Sequence, residues 1–251
     1  MPGRIIIFAI LSLFFALAGP SRADTLRIAT EGAYPPFNYV NEQGQLEGFD
    51  VDIAKALCQA MDRSCEIVAK EWEHIIDGLT AGEYDAIVAS MAKTPERDAL
   101  VDFTDSYYRS RSSFVSHIDA DLFTDKDLVG KRLCTAEGTI QADYLREHYT
   151  NSVITLTQDT PESFAMLARG EVDAVLTDSL NALEFLQSEA GRDFDFTGEA
   201  LPADDTSASA HIAVRSGDDT LRQDINQALK AIRLNGEYER INRRYFPFSI
   251  Y

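Results

Sequence analysis

GEYDAIVAS (Gly82–Ser90) and GEVDAVLTD (Gly170–Asp178) are two versions of one phrase. Each follows an apolar run of helical spacing that contains Leu79 or Leu167. In each, a glycine ends the helix, and an acidic residue and an Ala then lead into a short apolar stretch that reads as a buried strand. The first version closes on Ser90 and the second on Asp178. One chain that writes a helix–glycine–strand unit twice has two α/β units to build. In open parallel sheets ligands sit beyond the carboxyl ends of the strands, and Ser90 and Asp178 occupy those ends. Facing one another, they would share a cleft. The plain alternative is that Gly-x-x-Asp-Ala is simply a serviceable turn from helix into strand.

The same alternation runs outward in both directions. LRIAT (Leu26–Thr30), CEIVAK (Cys65–Lys70), KRLCTA (Lys131–Ala136) and SVITL (Ser152–Leu156) read as strands. Between them lie helical patterns at Phe49–Met61, Trp72–Ala81 and Thr139–Tyr149, and at Thr160–Gly170 with Thr160 as N-cap and Pro161 at N1. Strand–helix alternation of this kind implies parallel sheets covered by helices.

The chain has 251 residues, a size that suits one large or two small domains. Arg4, the apolar run Ile5–Gly19 and the small–x–small SRA ending at Ala23 make a secretory leader over 1–23. Without it, 21 basic residues face 41 acidic ones, a net charge of −20. That balance argues against nucleic acid and anionic membranes as partners. Outside the cytoplasm Cys58 and Cys65 are expected to pair, and a loop so short would contribute roughly 2–3 kcal/mol. Cys134, in an apolar strand, reads as a core residue. The four histidines are scattered and no HxxxH or CxxC spacing occurs, so neither metal nor cofactor is expected.

Longer stretches carry more information. TEGAYPPFNYVNEQGQLEGFDVDIAKAL (Thr30–Leu57), ASMAKTPERDALVDFTDSYYR (Ala89–Arg109) and the closing KAIRLNGEYERINRRYF resemble the periplasmic solute-binding proteins of amino-acid ABC importers. The branch most similar binds lysine, arginine, ornithine and histidine, with opine binders close by. The resemblance covers the whole chain after the leader, the Cys58–Cys65 spacing included. It implies a two-lobed periplasmic-binding-protein fold, each lobe a mainly parallel sheet flanked by helices and joined by two hinge crossings. Lobe I would take 24–111 and the return at 211–251, and lobe II 112–210. It further implies a monomer in the periplasm that hands its ligand to ABC permease subunits and is not an enzyme. A dehydratase of the same fold is the alternative.

Chemistry and resemblance then assign the site together. Arg97, in TPER after an expected Thr94–Pro95 helix start, suits a ligand carboxylate because a guanidinium binds one bidentately. In AEGTIQADY, Gly138 and Thr139 match the family loop, Ile140 departs from its usual hydroxyl residue and Gln141 is expected at the cleft wall. Asp178 is expected to accept the α-ammonium, or to cap the helix that follows, or both. Ser90 and Met91 are expected beside it. Ala92 stands where the basic amino-acid branch has Ser, which removes one partner or makes room for an N-substituent. Tyr34 and Trp72 are expected to sandwich a cationic side chain, worth roughly 0.5–2 kcal/mol per ring. Glu31, at the end of LRIAT, is expected to pair with the cation. The ligand reading is therefore a cationic amino acid, arginine first, with an opine as the runner-up.

Overall fold

The computed structural model describes residues 25–122, 124–202 and 209–251. The expected leader lies outside them.

β1 (Leu26–Thr30) opens the first lobe, followed by a small antiparallel sheet of β2 (Ala33–Tyr34), β3 (Asn38–Val40) and β4 (Leu46–Glu47). Then come α1 (Phe49–Ala60), β5 (Cys65–Ala69), a 3-10 turn at Trp72–His74 running into α2 (Ile75–Thr80), β6 (Ala86–Ala92), α3 (Pro95–Asp98) and β7 (Val101–Arg109). The second lobe holds β8 (Ser112–His117), α4 (Asp125–Leu128), β9 (Arg132–Ala136), α5 (Ile140–His148), β10 (Val153–Thr157), α6 (Thr160–Ala168), β11 (Ala174–Asp178), α7 (Ser179–Gln187) and β12 (Phe194–Thr197). β13 (Ser209–Arg215) returns to the first sheet and is followed by α8 (Asp219–Leu234) and α9 (Glu237–Tyr245).

The two sheets are built on one plan. Their orders are β5-β1-β6-β13-β7 and β10-β9-β11-β8-β12. In the first, β1 pairs in parallel with β5 and β6, while β13 is antiparallel to β6 and β7. In the second, β9 pairs in parallel with β10 and β11, while β8 is antiparallel to β11 and β12. Four strands of each sheet thus run one way and one is reversed. The reversed strands, β8 and β13, are the ones the chain enters as it arrives from the other sheet. The expectation of parallel strands holds for the direction of each sheet and is corrected at this one position.

The two repeats occupy equivalent places. β6 and β11 are the central strands, and both are buried almost throughout, as strands covered by helices on both faces must be. Gly82 (φ 78°) and Gly170 (φ 68°) take the left-handed conformation just after α2 and α6, where a side chain would be strained. Asp85 accepts the amide of Arg27 at 2.9 Å, and its own amide donates to the Arg27 carbonyl at 2.8 Å. Asp173 makes the same reciprocal pair with Arg132, at 2.8 and 2.7 Å. The shared aspartate therefore pins the start of each central strand to its neighbour.

The first core lies between the sheet and α1, α8 and α9. On α8, Leu221, Ile225, Ala228, Leu229 and Ile232 are buried on one helical face. Cys58 and Cys65 form a disulfide between α1 and β5. Cys134 is free and buried in the second core. Asp159, not Thr160, caps α6: its carboxylate accepts the Glu162 amide at 2.9 Å, and Thr160 is the first helical residue.

Candidate functional site

One cleft, of about 740 Å3 with part of it open to solvent, lies between the lobes. From the first lobe Glu31, Tyr34, Trp72, Ser90, Ala92 and Arg97 line it, and from the second Thr139, Ile140, Gln141 and Asp178. Segments far apart in the chain are brought together here. Met91 is the exception. Alternation along β6 turns its side chain away, and it is fully buried in the apolar cluster with Ile75, Leu79 and Phe103.

Arg97 belongs to α3, whose first turn is capped by Thr94 at 3.3 Å. Its Nη1 donates to the Ala92 carbonyl at 2.8 Å and its Nη2 reaches the Gly138 carbonyl of the second lobe at 2.9 Å. The guanidinium also lies 5.1 Å from the Trp72 ring. Trp72 Nε1 donates to the same Gly138 carbonyl at 3.2 Å. These contacts fix the plane of the guanidinium without neutralising it, and among the described residues no carboxylate forms an ion pair with it. Desolvation accordingly pulls its pKa down to about 10.

Asp178 sits opposite, at the end of β11 and the start of α7. Oδ1 accepts from Ser110 Oγ at 2.6 Å and from the amides of Leu180 and Asn181 at 2.8 and 3.3 Å. Capping is therefore one of its roles, as expected. Oδ2 accepts no hydrogen bond among the described residues. Burial raises the carboxyl to about 6 against the three bonds that lower it.

Ser90 ends its repeat differently. It takes φ 54°, a region few non-glycine residues visit. Its amide donates to Tyr107 Oη at 2.8 Å and its hydroxyl to Asp50 at 2.9 Å. Asp50 is wholly buried and also accepts from Asn38 at 2.8 Å and Tyr107 at 2.6 Å. The Ser90 hydroxyl is thus turned back into the first lobe and is not free at the cleft. Burial raises Asp50 to about 6.

Glu31 follows β1 at the cleft wall. No hydrogen bond or ion pair reaches it among the described residues. Its carboxyl is pushed up to about 8, first by burial and then by the charges of Asp159 and Asp50. Tyr34 is stacked on Phe37 at 5.6 Å between centroids, and burial, with the charges of Asp178 and Glu31, raises its phenol well above the usual value. Thr139 caps α5: its hydroxyl accepts the Ala142 amide at 3.1 Å and donates to the Ala136 carbonyl at 2.8 Å. The amides of Ile140 and Gln141 are the first of α5 and have no partner within the helix, so the hydroxyl lost at Ile140 leaves the amide donor in place. Gln141 donates to Ser112 at 2.9 Å.

Sequence reading misses Tyr108, Ser110, Arg111 and Ser112, which line the floor where the chain passes from β7 to β8, and Thr177 on β11. The polar run Ser110–Ser113 between two apolar strands is the available signal for the first group.

Comparison with known proteins follows from this geometry. Residues 26–248 match the family model described as bacterial extracellular solute-binding proteins, family 3. The chain is 38% identical over 231 residues to an L-arginine-binding protein of Pseudomonas aeruginosa, covering 90% of this chain and 89% of that one. It is 32% identical to a histidine-binding periplasmic protein of Escherichia coli, covering 96% of each. Its fold is similar to that of an ancestral arginine-binding protein bound to arginine, with a TM-score of 0.83, 31% identity, and coverage of 88% of this chain and 98% of that one.

Proposed function

Because the chain belongs to the bacterial extracellular solute-binding proteins, family 3, we propose that it captures a cationic amino acid, arginine first, and delivers it to an ABC importer. The observation that carries this reading is a cleft holding uncompensated charges of both signs. Arg97 is a desolvated cation without a carboxylate partner among the described residues, while Asp178 Oδ2 and Glu31 are acceptors without donors. Buried charges are costly unless paired. A zwitterion with a second cation supplies all three missing partners: its carboxylate to Arg97 and the α5 amides, its ammonium to Asp178, its side chain to Glu31 between Tyr34 and Trp72.

Such a ligand bridges the two lobes and is bound fully only when they are together, so binding closes the hinge. The hinge crossings are the passage at Ser110–Arg111 and the return into β13, with lobe I at 24–111 and lobe II from 112; Ser209 and Ala210 already pair in the first sheet, so lobe I resumes at 209 rather than at 211. The mature protein begins after cleavage near Ala23, works as a monomer in the periplasm and docks on the permease subunits of its importer. The relatives it resembles are binding proteins, and this reading asks no bond to be made or broken.

A second reading is favoured by one wall. Ala92 and Ala136 line the cleft, and their small side chains leave space along its wall. An arginine-derived opine, with a substituent on its α-nitrogen, would use that space. A thermal-shift screen over the common amino acids and several opines tests both. The largest rise in melting temperature is expected with arginine, followed by lysine, ornithine and histidine. A rise with glutamate or glutamine and none with any cation would contradict the proposal.

A further inference from the structure

Asn181 reaches the first lobe from outside the cleft. It lies in the first turn of α7, is 2% exposed and does not line the cleft itself. Its Nδ2 donates to the Pro35 carbonyl at 2.5 Å, across 146 positions of sequence and from one lobe to the other. Its Oδ1 accepts from Thr177 Oγ1 at 3.2 Å. Thr177 does line the cleft, as does Tyr34. Tyr34 and Pro35 are consecutive, so the contacts form a chain: Thr177 to Asn181, and Asn181 to the residue next to Tyr34. The backbone of one cleft wall is thereby tied to the strand and helix that hold Asp178.

This bond exists only while the lobes are together. When they separate, water takes the place of each partner across the gap, and the amide keeps only the bond it accepts from Thr177 within the second lobe. A hydrogen bond made in one state alone shifts the balance between states by its whole net contribution. Other hydrogen bonds across the cleft, from Arg97 and Trp72 to the Gly138 carbonyl and from Ser110 to Asp178, use residues of the cleft itself. Asn181 is separate from them.

We propose that Asn181 is a positioning residue that sets ligand affinity without touching the ligand. It holds the Tyr34–Pro35 wall against the second lobe in the closed state and so slows release. This rests on the cleft reading above, with Tyr34 as a wall of the ligand side chain.

The experiment compares the parent protein with Asn181→Ala and Asn181→Asp. L-Arginine association and dissociation are followed by stopped-flow fluorescence, and melting is measured without ligand. The alanine variant is expected to release arginine roughly tenfold faster with association little changed. Its ligand-free melting temperature is expected to fall only slightly, through the loss of the Thr177 bond within the second lobe, because the bond to Pro35 is absent in the open state. The aspartate variant keeps the size and the acceptor and loses the donor. Faster release there as well shows that donation to Pro35 is what counts, and it carries the test if the alanine variant folds poorly. Release within twofold of the parent in both variants would overturn the proposal. So would a lower ligand-free melting temperature with unchanged release, which is the mark of a purely structural amide. Failure of the parent itself to bind arginine would tell against the ligand reading, and the same ratio would then be taken with the amino acid that stabilises the parent most.

Discussion

In the first lobe β6 leaves Gly82–Asp85 and reaches Ser90; in the second β11 leaves Gly170–Asp173 and reaches Asp178. The two starts are equivalent down to the reciprocal backbone pair that each aspartate makes with an arginine of the next strand. The two ends are not. Ser90 is held in a left-handed turn with its hydroxyl given to Asp50, so the carboxylate at this strand end stays behind the wall. Asp178 carries its carboxylate at the wall, with one oxygen spent on capping and the other uncommitted. A repeated fold element thus keeps its structural half constant and varies the half that faces the ligand. At its strand end the first lobe keeps the carboxylate inside, while Arg97 and Glu31 reach the cleft from other elements; the second offers a carboxylate at the strand end itself.

That contrast can be broken by mutation, and the largest effect is expected at Arg97. Arg97→Ala removes the partner of the ligand carboxylate and two carbonyl contacts, and is expected to weaken every α-amino-acid ligand by about 2–5 kcal/mol. The fold should persist, and unchanged affinity in calorimetry would remove Arg97 from the account. Asp178→Asn comes next. Asn caps helices about as well as Asp, so the melting temperature of the empty protein is expected to hold while affinity falls about a hundredfold, an amide being a poor partner for an ammonium. An early-melting variant that binds normally would leave Asp178 as a cap only.

Glu31→Gln is expected to cost about tenfold in arginine affinity at pH 8, and it sharpens the comparison through pH. With its carboxyl pushed up to about 8, the empty cleft holds a proton at pH 7 that a bound guanidinium must expel. Arginine affinity is therefore expected to rise between pH 6 and 8.5, with protons released on binding. In the variant both the slope and the release from this group disappear. The sign for stability is opposite. A carboxyl raised above its unfolded value stabilises the folded state at low pH and loses that contribution as pH climbs from about 4.5 to 8. Glu31→Gln should thus melt higher than the parent at pH 8 and gain nothing at pH 4. Proton release unchanged in the variant, measured in buffers of different ionisation enthalpy, would assign the proton elsewhere.

The smallest effect on binding is expected at the constant half. Asp85→Ala and Asp173→Ala should each destabilise by about 0.5–1.5 kcal/mol, since each strips a strand start, half-buried at Arg27 and exposed at Arg132, of its acceptor. Arginine affinity should stay within twofold of the parent. A large loss of affinity from only one of them would show that the two starts are not equivalent.

Much of this arrangement is written locally. Gly82 and Gly170 after apolar helices mark the turns, and the strand ends that follow, Ser90 and Asp178, mark the cleft; Arg97, Trp72 and Tyr34 are picked out with the help of the resemblance to the family's motifs. The rest depends on contacts between distant segments. Nothing in the pattern of β8 or β13 says that these strands run backwards, because period-2 and apolar-run signals carry no direction. Met91 reads as a cleft residue because it adjoins Ser90, and strand alternation puts it on the other side. Asp50, within GFDVD, reads as the first turn of an amphipathic helix; only the fold shows it under Ser90 and Tyr107. Asn181 has the composition of an ordinary helix start, and its partner Pro35 lies in the other lobe.

The central claim is that the cleft takes a zwitterion whose side chain carries a positive charge. Calorimetric titration of the purified protein at pH 7 with arginine, lysine, histidine, glutamine and glutamate tests it most directly. The account predicts tightest binding for arginine, weaker binding for lysine and histidine, and at least tenfold weaker binding for glutamine and glutamate. Tighter binding of glutamine or glutamate than of any cation would contradict it.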